Sequence, residues 1–509
     1  MKRDGNCESL WQHKTKDFET STTMVPDKVF DVLIVGGGIT GVTTALMLQN
    51  AGLSCILAEA QNIGFGTSGG TTAHLNTFFD TPYDKVIKNF GEDNARLLAQ
   101  GAGAVMQLIQ QNIKEHDIDC GFDKREGYIF ALDEKQNDEL EELVASTKKM
   151  GLPIGFVSNS PFPIPHLKVA SIAGQAQFNP AQYIYGLAKA FEKAGGMIIQ
   201  DCRVKGIKEE HPLIAETSKG TIKAVKALYA THIPPGVNLL HFRCAPYRSY
   251  AMAIKLKNDQ YPIALGYDMN DPYHYYRTQN VAGQNYLIAG GEDHKTGHEK
   301  NTEACFRRLE SYVKTYFEVD EIAFRWSSQY FEPADGLPYI GQLPGHEDNM
   351  YVATGFGGNG MIYGTLSALI FSDMMRGKKS PYEDLFAPGR AKPIAGFNNF
   401  VKEAADVVKE LISGKFGIEG IKEVAELAAG EAKIVHYNEQ TLALYKDEDH
   451  NLHAVNPACT HIKCTVAWND VERSWDCPCH GSRFSIDGEM LTGPARKDLQ
   501  RMDLEDKKN

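Results

Sequence analysis

Short apolar runs and stretches with helical spacing alternate along the first three quarters of the chain. From residue 30 the sequence reads FDVLIVGGGITGVTTALMLQNAGLSCILAEA, and its first apolar run, Val32 to Val35, breaks into glycines. A helical stretch continues to about Ala51, and a second apolar run ends at Glu59. This order and these lengths predict a strand–helix–strand unit. Mixed helix and strand patterns continue to about residue 385.

The pattern changes in residues 388–430, where Pro and Gly precede the amphipathic text NNFVKEAADVVKELISGKF. We interpret this segment as a helical connector. From about residue 432 the short alternating runs KIVHYN, TLALYKD and LHAVNP predict a small β domain. The predicted units are therefore an N-terminal tail or docking arm (1–28), a large α/β unit (29–387), the connector (388–430) and the small β domain (431–509).

Composition narrows the function classes. Hydrophobic residues make up 42% and charged residues 23% of the 509 positions, which is typical of a globular protein. The net charge of −12 argues against a nucleic-acid partner, because phosphate binding requires a basic surface. No apolar run approaches the 18 residues of a transmembrane segment. The polar N-terminus lacks a signal peptide, so we expect a cytoplasmic protein.

The glycines after the first strand predict a dinucleotide site. Gly36, Gly38 and Gly41 form a G-x-G-x-x-G turn, which permits a tight bend, close approach of a pyrophosphate and close packing of the helix. Glu59 ends the next strand, where a carboxylate can accept a hydrogen bond from a ribose hydroxyl. The motif alone does not distinguish FAD from NAD.

Residues 30–385 resemble the D-amino-acid-oxidase-like flavoproteins, which include glycine, sarcosine and gamma-glutamylputrescine oxidases. The segments that carry the resemblance are the glycine turn, IGFGTSGGTTAHLN, FNPAQYIYGLAKAFEKAGGMIIQDCRVKGI, DGLPYIGQ and YVATGFGGNGMIYG. The resemblance implies an α/β, Rossmann-like FAD-binding domain with a mixed-sheet substrate domain. The FAD-binding residues that it implies beyond the turn and Glu59 are Ile39, Thr67, Ser68, Thr72, Ala73, His74, Val204, Gly355, Gly357, Gly358, Gly360 and Met361.

The last of these motifs has an alternative interpretation. Gly355, Gly357 and Gly360 also spell G-x-G-x-x-G, which would indicate an NAD site and an NADH-dependent reductase. No strand ending in an acidic residue follows about 20 residues later, where the text runs to MMRGKKSPYED. A helix starting near Met361 would instead direct its N-terminus at the flavin pyrimidine edge. We therefore favour FAD.

Four Cys and His residues near the C-terminus predict a metal centre. Cys459 and His461 form a C-x-H pair, and Cys477 and His480 form a C-x-x-H pair. Two loops that each give one Cys and one His supply the ligands of a Rieske [2Fe–2S] cluster. A structural zinc site is the alternative. The spacing of the first pair and the text CPCHGSRF disfavour zinc, and residues 430–505 resemble Rieske proteins, which implies a small all-β Rieske domain.

The Rieske resemblance implies further roles around the cluster. Cys464 and Cys479 match the cysteines that form a disulfide between the two cluster loops in respiratory Rieske proteins. The other six of the ten cysteines are scattered and are interpreted as buried or idle thiols. Gly493 to Ala495 resembles the loop that covers the cluster. Ser482 matches a serine that donates to a cluster sulfur, whereas Phe484 stands where a tyrosine donor is found.

Substrate-binding residues are less clearly marked, and no catalytic residue is assigned. Arg277, in DPYHYYRTQNVAGQNYLIAGG, is a candidate for binding a substrate carboxylate, with a structural arginine as the alternative. His74 is a second candidate through its FAD motif. His232 and His241 are interpreted as structural. A tyrosine cluster, Tyr273, Tyr275 and Tyr276, forms either an aromatic wall for an amine or ordinary sheet packing.

Together these features predict an FAD-dependent dehydrogenase that oxidises an amine or amino acid at its C–N bond. Electrons would then pass through the Rieske cluster to a one-electron carrier protein or quinone, which explains the presence of a one-electron centre. Two alternatives remain open. One is a reductase in which electrons run from a carrier through the cluster to the flavin, and the other is a non-catalytic redox sensor.

Overall fold

The computed structural model describes residues 3–390, 409–410, 419–420, 427–437 and 440–503. The helices are α1 Leu10–Lys14, α2 Ile39–Asn50, α3 Thr67–Gly70, α4 Tyr83–Phe90, α5 Glu92–Glu115, α6 Glu134–Lys149, α7 Pro180–Lys193, α8 Thr302–Tyr316, α9 Gly360–Met375 and α10 Glu383–Phe386, with a 3₁₀ turn at Leu239–Phe242. The strands of the large unit are β1 Val29–Val35, β2 Cys55–Ala58, β3 His74–Leu75, β4 Asp123–Ala131, β5 Ile154–Val157, β6 Lys168–Gln177, β7 Met197–Ile199, β8 Val204–Lys208, β9 Leu213–Thr217, β10 Gly220–Tyr229, β11 Cys244–Leu256, β12 Leu265–Asp268, β13 Tyr275–Val281, β14 Gln284–Lys295, β15 Val319–Pro333, β16 Tyr339–Gln342 and β17 Met350–Thr354.

The first sheet of the large unit has eight strands, and its central path runs β16–β17–β10–β1–β2–β7. Strand β1 pairs in parallel with β2 and β10. The strand β1 is apolar because both of its faces are covered, one of them by α2, α7 and α9 through the largest buried cluster. The strand–helix–strand prediction is confirmed, since β1, α2 and β2 follow one another as expected.

The second sheet has nine strands and is mainly antiparallel, with a path of β15–β11–β14–β13–β12–β4–β6–β3. Strands β12 and β4 pair in parallel, so the sheet is mixed, as predicted. The pairing of β11 with β14 is irregular between Arg248 and Tyr250. Opposite this irregularity, Gly291 and Glu292 have φ values of 148° and 59°. Such a bulge turns the side chains that follow it to new directions.

The small C-terminal unit is all β, as predicted. One sheet contains β18 Glu419–Gly420, β19 Ala432–Tyr437, β20 Gln440–Lys446 and β21 Leu452–Val455, and the other contains β22 Ala467–Asn469, β23 Ser474–Asp476, β24 Arg483–Phe484 and β25 Met490–Thr492. Their core is a buried cluster around Trp475 and Phe484, together with the four closely spaced cysteines. Most of the predicted helical connector lies outside the described residues.

The N-terminal segment packs into the rest of the protein. We call residues 3–14 the N-terminal arm. Leu10 and Trp11 in this arm are fully buried. The Trp11 ring lies 5.2 Å from the Arg277 guanidinium carbon. Of the two interpretations of residues 1–28, the placement of this segment fits a docking arm. None of the helices that the structure describes is both long enough and apolar enough to span a membrane.

Candidate functional site

A cavity of about 490 Å³ runs along the carboxyl end of the first sheet and reaches the second sheet. This is the size of a typical small-molecule or cofactor pocket. Thirteen of the predicted FAD-binding residues line it: Gly36, Gly38, Ile39, Glu59, Thr67, Ser68, Thr72, His74, Val204, Gly357, Gly358, Gly360 and Met361. The carboxyl edge of a parallel sheet is where such ligands bind in α/β folds.

Two positions of the turn between β1 and α2, Gly36 and Gly41, have no room for a side chain. A Cβ on Gly36 would lie 2.5 Å from the Ala230 carbonyl oxygen, and its φ of 112° also favours glycine. A Cβ on Gly41 would lie 1.9 Å from the Gly36 carbonyl oxygen. Gly41 therefore does not line the cavity but lets the helix pack closely. The turn leaves the helix N-terminus open toward the cavity, which fits a pyrophosphate.

Glu59 lies where a ribose would be expected beside this turn. Its carboxylate accepts hydrogen bonds from the backbone N–H groups of Gly37 at 2.6 Å and Gln61 at 2.8 Å. Burial raises the pKa of Glu59, although these two hydrogen bonds oppose the shift. Ser68 accepts a hydrogen bond from the N–H of Ile39 at 3.1 Å, so the second FAD segment is fastened to the first turn of α2.

Two further predicted FAD residues lie behind the cavity wall. Ala73 is buried with a φ of 53°, and Gly355 has a φ of 76°. A Cβ on Gly355 would lie 3.2 Å from the Cys244 sulfur. These two residues shape the turns that present their neighbours to the cavity.

The prediction that Arg277 binds a substrate carboxylate is wrong. Its guanidinium is fully buried and does not line the cavity. It donates to the backbone carbonyls of Thr72 and Ala73, both at 2.7 Å, and to that of Phe178 at 3.1 Å. It also donates to the Gln279 side chain at 2.5 Å. These contacts occupy both terminal nitrogens, while Nε has no partner among the described residues, so Arg277 is a structural support of the second FAD segment.

His74, the other substrate candidate, does line the cavity. Its Nδ1 lies 3.2 Å from the Thr72 hydroxyl, and its Nε2 lies 3.3 Å from the Tyr276 carbonyl oxygen. Burial, with the nearby charge of Arg277, lowers the pKa of His74 to about 3. The imidazole is therefore neutral at physiological pH.

The four predicted cluster ligands converge from two loops. Cys459 and Cys477 are fully buried, and because their thiols lie close together, each shifts the pKa of the other, that of Cys459 downward and that of Cys477 upward. The rings of His461 and His480 lie 4.9 Å apart, at 88° to one another. His461 Nδ1 and both ring nitrogens of His480 are buried without a hydrogen-bond partner. Buried nitrogens of this kind fit ligands of a metal centre.

One disulfide and one serine hydroxyl hold these loops together. Cys464 and Cys479 form a disulfide with a Cα–Cα distance of 6.5 Å, and this removes both sulfurs from metal binding. The Cys477 thiol and, more weakly, the nearby Ser482 hydroxyl lower the pKa of Cys459, and the same hydroxyl accepts from the N–H of Ala495 at 2.9 Å. Burial lowers the pKa of His480 to about 3, so this histidine is neutral, which is the form that binds iron.

The cluster site is closed by the large unit. His461 Nε2 lies 3.1 Å from the carbonyl oxygen of Gly236, and the N–H of Gly236 donates to the Pro494 carbonyl at 2.8 Å. His241 fixes this loop, since its Nδ1 accepts from the N–H of Asn238 at 3.2 Å and its Nε2 donates to the Pro234 carbonyl at 2.8 Å. His241 is thus structural, as interpreted from the sequence, but it supports the contact with a cluster ligand.

The same wall separates the cluster from the FAD cavity. Residues of the small unit that line the cavity are Met490, Leu491, Thr492, Gly493, Ala495 and Arg496. His232 also lines it, only four residues before Gly236. Gln329, another lining residue, donates from Nε2 to the Gly481 carbonyl at 2.9 Å, directly beside His480. One layer of residues therefore contacts both sites.

An ion network of six residues ties the two units and the N-terminal arm together: Arg3, Asp4, Arg248, Glu472, Asp476 and Arg483. All six are buried, and three arginines balance three carboxylates. Asp4 lies 2.8 Å from Arg483, and Glu472 accepts from the Ser327 N–H at 2.9 Å and hydroxyl at 2.7 Å. We call this set the interdomain ion network.

The arm also holds the second FAD segment. Ser9 donates from its hydroxyl to the Gly69 carbonyl, and Trp11 donates from Nε1 to the Thr71 carbonyl, both at 2.7 Å. The arm therefore contacts the FAD loop with one end and the small unit with the other. The sequence carried no motif for this role.

Comparison with known proteins decides the family. The model of the FAD dependent oxidoreductase (DAO) family matches residues 31–374, and that of the Rieske [2Fe-2S] domain matches residues 419–503. The chain belongs to the FAD-dependent oxidoreductase (DAO) family. It is an oxidoreductase that binds FAD and carries a C-terminal Rieske domain with a [2Fe–2S] cluster.

One relative shares this whole arrangement within the family. The putative Rieske 2Fe-2S iron-sulfur protein YhfW of Bacillus subtilis (strain 168) is 33% identical over 98% of both chains. The gamma-glutamylputrescine oxidoreductase of Escherichia coli (strain K12) is 26% identical over 70% of this chain and 86% of its own. Glycine oxidase from Geobacillus kaustophilus has the same fold over 71% of this chain and 99% of its own, with a TM-score of 0.60 and 19% identity.

Proposed function

We propose that this protein is a dehydrogenase that oxidises an amine or amino acid and delivers the electrons, one at a time, to an external carrier protein or quinone. The substrate loses a hydride from the carbon beside nitrogen and a proton from the nitrogen. The resulting imine is hydrolysed by water to a carbonyl compound and a released amine or ammonia. When bound, FAD accepts the hydride and the cluster carries single electrons.

We assign the cofactor contacts residue by residue. The cavity-lining residues given above would hold FAD, with Ala73, Gly355 and Gly41 shaping its walls. Cys459 and Cys477 would bind one iron. His461 through Nδ1, and His480 through one of its two unpartnered ring nitrogens, would bind the other. His461 Nε2 then keeps its hydrogen bond to Gly236, which fixes the ring orientation. The cytoplasmic location stays a prediction.

The observation that supports electron transfer between the two centres is their shared wall. The small unit contributes residues 490–493 and 495–496 to the FAD cavity, and the loop from His232 to Gly236 leads from that cavity to a cluster ligand. A cluster used only as a distant sensor would have no need of such a contact.

An anaerobic screen of amines and amino acids tests this proposal. A substrate should bleach the flavin absorbance first, and reduction of the cluster should follow within the same molecule, as measured by absorbance and electron paramagnetic resonance. Flavin reduction that occurs only through the cluster, from reduced ferredoxin, would instead establish the reductase direction. Absence of turnover with any substrate and an artificial dye acceptor would favour the sensor.

A further inference from the structure

At the end of the cavity formed by the second sheet, aromatic and acidic side chains meet. We call this end the tyrosine chamber, and its members are Tyr267, Tyr273, Tyr275, Tyr330, Asp80 and Asp293. Ring centroids of Tyr273 and Tyr275 lie 5.7 Å apart, and His74 lies 5.4 Å from Tyr275. Tyrosine faces attract organic cations through the negative potential of the ring.

Asp293 is held in the chamber by the bulge in β14. Glu292 has a positive φ, and its side chain pairs with Arg308 at 2.5 Å. The side chain of the next residue, Asp293, lines the cavity instead. Asp293 Oδ2 accepts a hydrogen bond from the Tyr330 hydroxyl at 2.9 Å. Its other oxygen, Oδ1, is buried and makes no hydrogen bond of ordinary geometry among the described residues, although the Ser249 hydroxyl lies near this carboxylate. Burial raises the pKa of Asp293 to about 7.

Asp80 is the second carboxylate of the chamber, and it accepts from the N–H of Gly358 at 2.6 Å. Its charge disfavours the charge of Asp293, while that of His274 on the opposite side favours it. His274 is already paired with Asp268 at 2.8 Å. Among the described residues, therefore, neither Asp80 nor Asp293 forms an ion pair with a cationic side chain.

Permanent positive charge in the cavity lies elsewhere. Among the described lining residues only Arg203 and Arg496 carry it. Arg203 of the large unit donates to the Met490 carbonyl at 3.0 Å, and Arg496 of the small unit donates to the Pro235 carbonyl at 3.0 Å, so both lie where the two units meet. A carboxylate in the chamber would meet two acidic groups and no guanidinium.

We propose that the tyrosine chamber binds an organic cation, an amine without a carboxylate beside its nitrogen, with the ammonium group on Asp293 Oδ1 and the tyrosine faces. This inference rests on the proposed function and narrows its substrate class from amines and amino acids to simple amines. The ammonium group supplies the positive charge that the buried carboxylate lacks.

The test uses two probes of opposite charge on the holoenzyme, α,α-dimethylbenzylammonium and benzoate. The cation keeps its N–H donors but has no hydrogen on the carbon beside nitrogen, so neither probe can lose a hydride there. Binding is measured anaerobically by the change in flavin absorbance. We expect the cation to bind and benzoate to bind at least about tenfold more weakly, since charge pairs in a closed site dominate selectivity. Equal binding, preference for benzoate, or no binding of either probe overturns the inference.

Variants locate the effect. Asp293→Asn should weaken binding of α,α-dimethylbenzylammonium about tenfold or more while leaving FAD and iron content unchanged. Asp138→Asn, which changes an exposed aspartate of α6, should leave binding unchanged. Unchanged cation binding in Asp293→Asn with full FAD content contradicts the assignment. The wild-type comparison of the two probes stands without any variant, so poor folding of Asp293→Asn does not remove the test.

The two proposals fail separately. If the cation binds selectively but no amine or amino acid ever bleaches the flavin, the proposed dehydrogenase function fails and the cation site stands. If α-amino acids bleach the flavin and simple amines do not, the dehydrogenase function stands and the cation site fails.

Discussion

The FAD cradle and the cluster loops place their functional groups by different means. In the cradle, one short turn from Gly36 to Gly41, which includes Ile39, gives the backbone shape. Glu59 follows at the end of the next strand and accepts a hydrogen bond from the turn. The cluster loops also give their ligands locally. However, His461 completes its hydrogen bonding only with Gly236, from another unit of the chain.

The contacts that shape the FAD cradle lie mostly within the large unit, whereas the cluster loops depend on contacts between the two units. The cradle is complete within the large unit except for one wall. The small unit has its own core, yet its Glu472, Asp476 and Arg483 are neutralised by Arg3, Asp4 and Arg248 from outside it. The two units thus separate along the sequence but interlock in space. Three substitutions measure how far each site depends on the other.

The largest effect is expected from Cys459→Ala, which removes a cluster ligand. Too few ligands would remain for the iron pair, so iron and acid-labile sulfide should fall to background, whereas FAD content and anaerobic flavin bleaching persist. Turnover with a one-electron protein acceptor should collapse. Cys55→Ala, at a buried free cysteine of β2, is the control and should keep both cofactors.

Loss of FAD together with the cluster would contradict that expectation. It would mean that the cavity wall at residues 490–493 holds its position only when the cluster loops are filled. Turnover that survives with the protein acceptor would mean that electrons leave directly from the flavin.

A smaller but still large effect is expected from Glu472→Gln in the interdomain ion network. Breaking a buried ion pair by neutralising one partner costs about 3–5 kcal/mol, because the remaining charges lose their compensation. We expect this loss in the free energy of unfolding and faster proteolytic release of the small unit. Glu448→Gln is the control, since its pair with Arg473 is exposed and contributes about 1 kcal/mol or less.

The same network predicts a dependence on pH. Burial alone would raise the pKa of Glu472 and Asp476, but nearby arginine charges outweigh it and hold both below their usual range. These charges are Arg3, Arg248 and Arg483 at Glu472, and Arg483 and Arg248 at Asp476. Carboxylates with lowered pKa stabilise the fold above their unfolded pKa of about 4 and lose this contribution as pH falls below it. Unfolding measured between pH 7 and 3 should show this loss in the wild type and less of it in Glu472→Gln.

Sequence reasoning worked where a site is made of neighbours in the chain. The glycine turn, Glu59 and the two cluster pairs are short-range patterns, and their placement agrees with the motifs. The fold class was predictable for the same reason, since strand–helix–strand units and short alternating runs are local signals.

It failed where function depends on distant partners. Arg277 was a candidate for facing the substrate, with a structural arginine as the alternative. The carbonyls that surround it come from Thr72, Ala73 and Phe178, which no spacing rule connects to it. Asp293 enters the cavity through a bulge that pairing alone reveals. The partners of the N-terminal arm lie as far as 479 positions away. The spacing of apolar residues predicts which face of a helix or strand is buried, but it does not predict positive-φ residues or buried charges.

The smallest effect is expected from Ser482→Ala, which removes a hydroxyl beside the cluster without touching a ligand. A hydrogen bond to a cluster sulfur stabilises the reduced, more negative state, so its loss should lower the potential. About 1 kcal/mol of net hydrogen-bond energy corresponds to about 40 mV for a one-electron couple. The potential is measured by redox titration of the electron paramagnetic resonance signal.

Controls separate this effect from simple destabilisation. Ser482→Ala also leaves the N–H of Ala495 without its partner, which costs about 1–3 kcal/mol of stability. Ser482→Thr keeps the hydroxyl and should retain most of the potential, and Ser485→Ala, whose hydroxyl bonds the N–H of Glu489, should leave the potential unchanged. A potential that stays constant in Ser482→Ala at full iron content would show that the hydroxyl does not reach a cluster sulfur. FAD content should stay unchanged in Ser485→Ala, because Ser485 is bonded to Glu489, which does not line the FAD cavity.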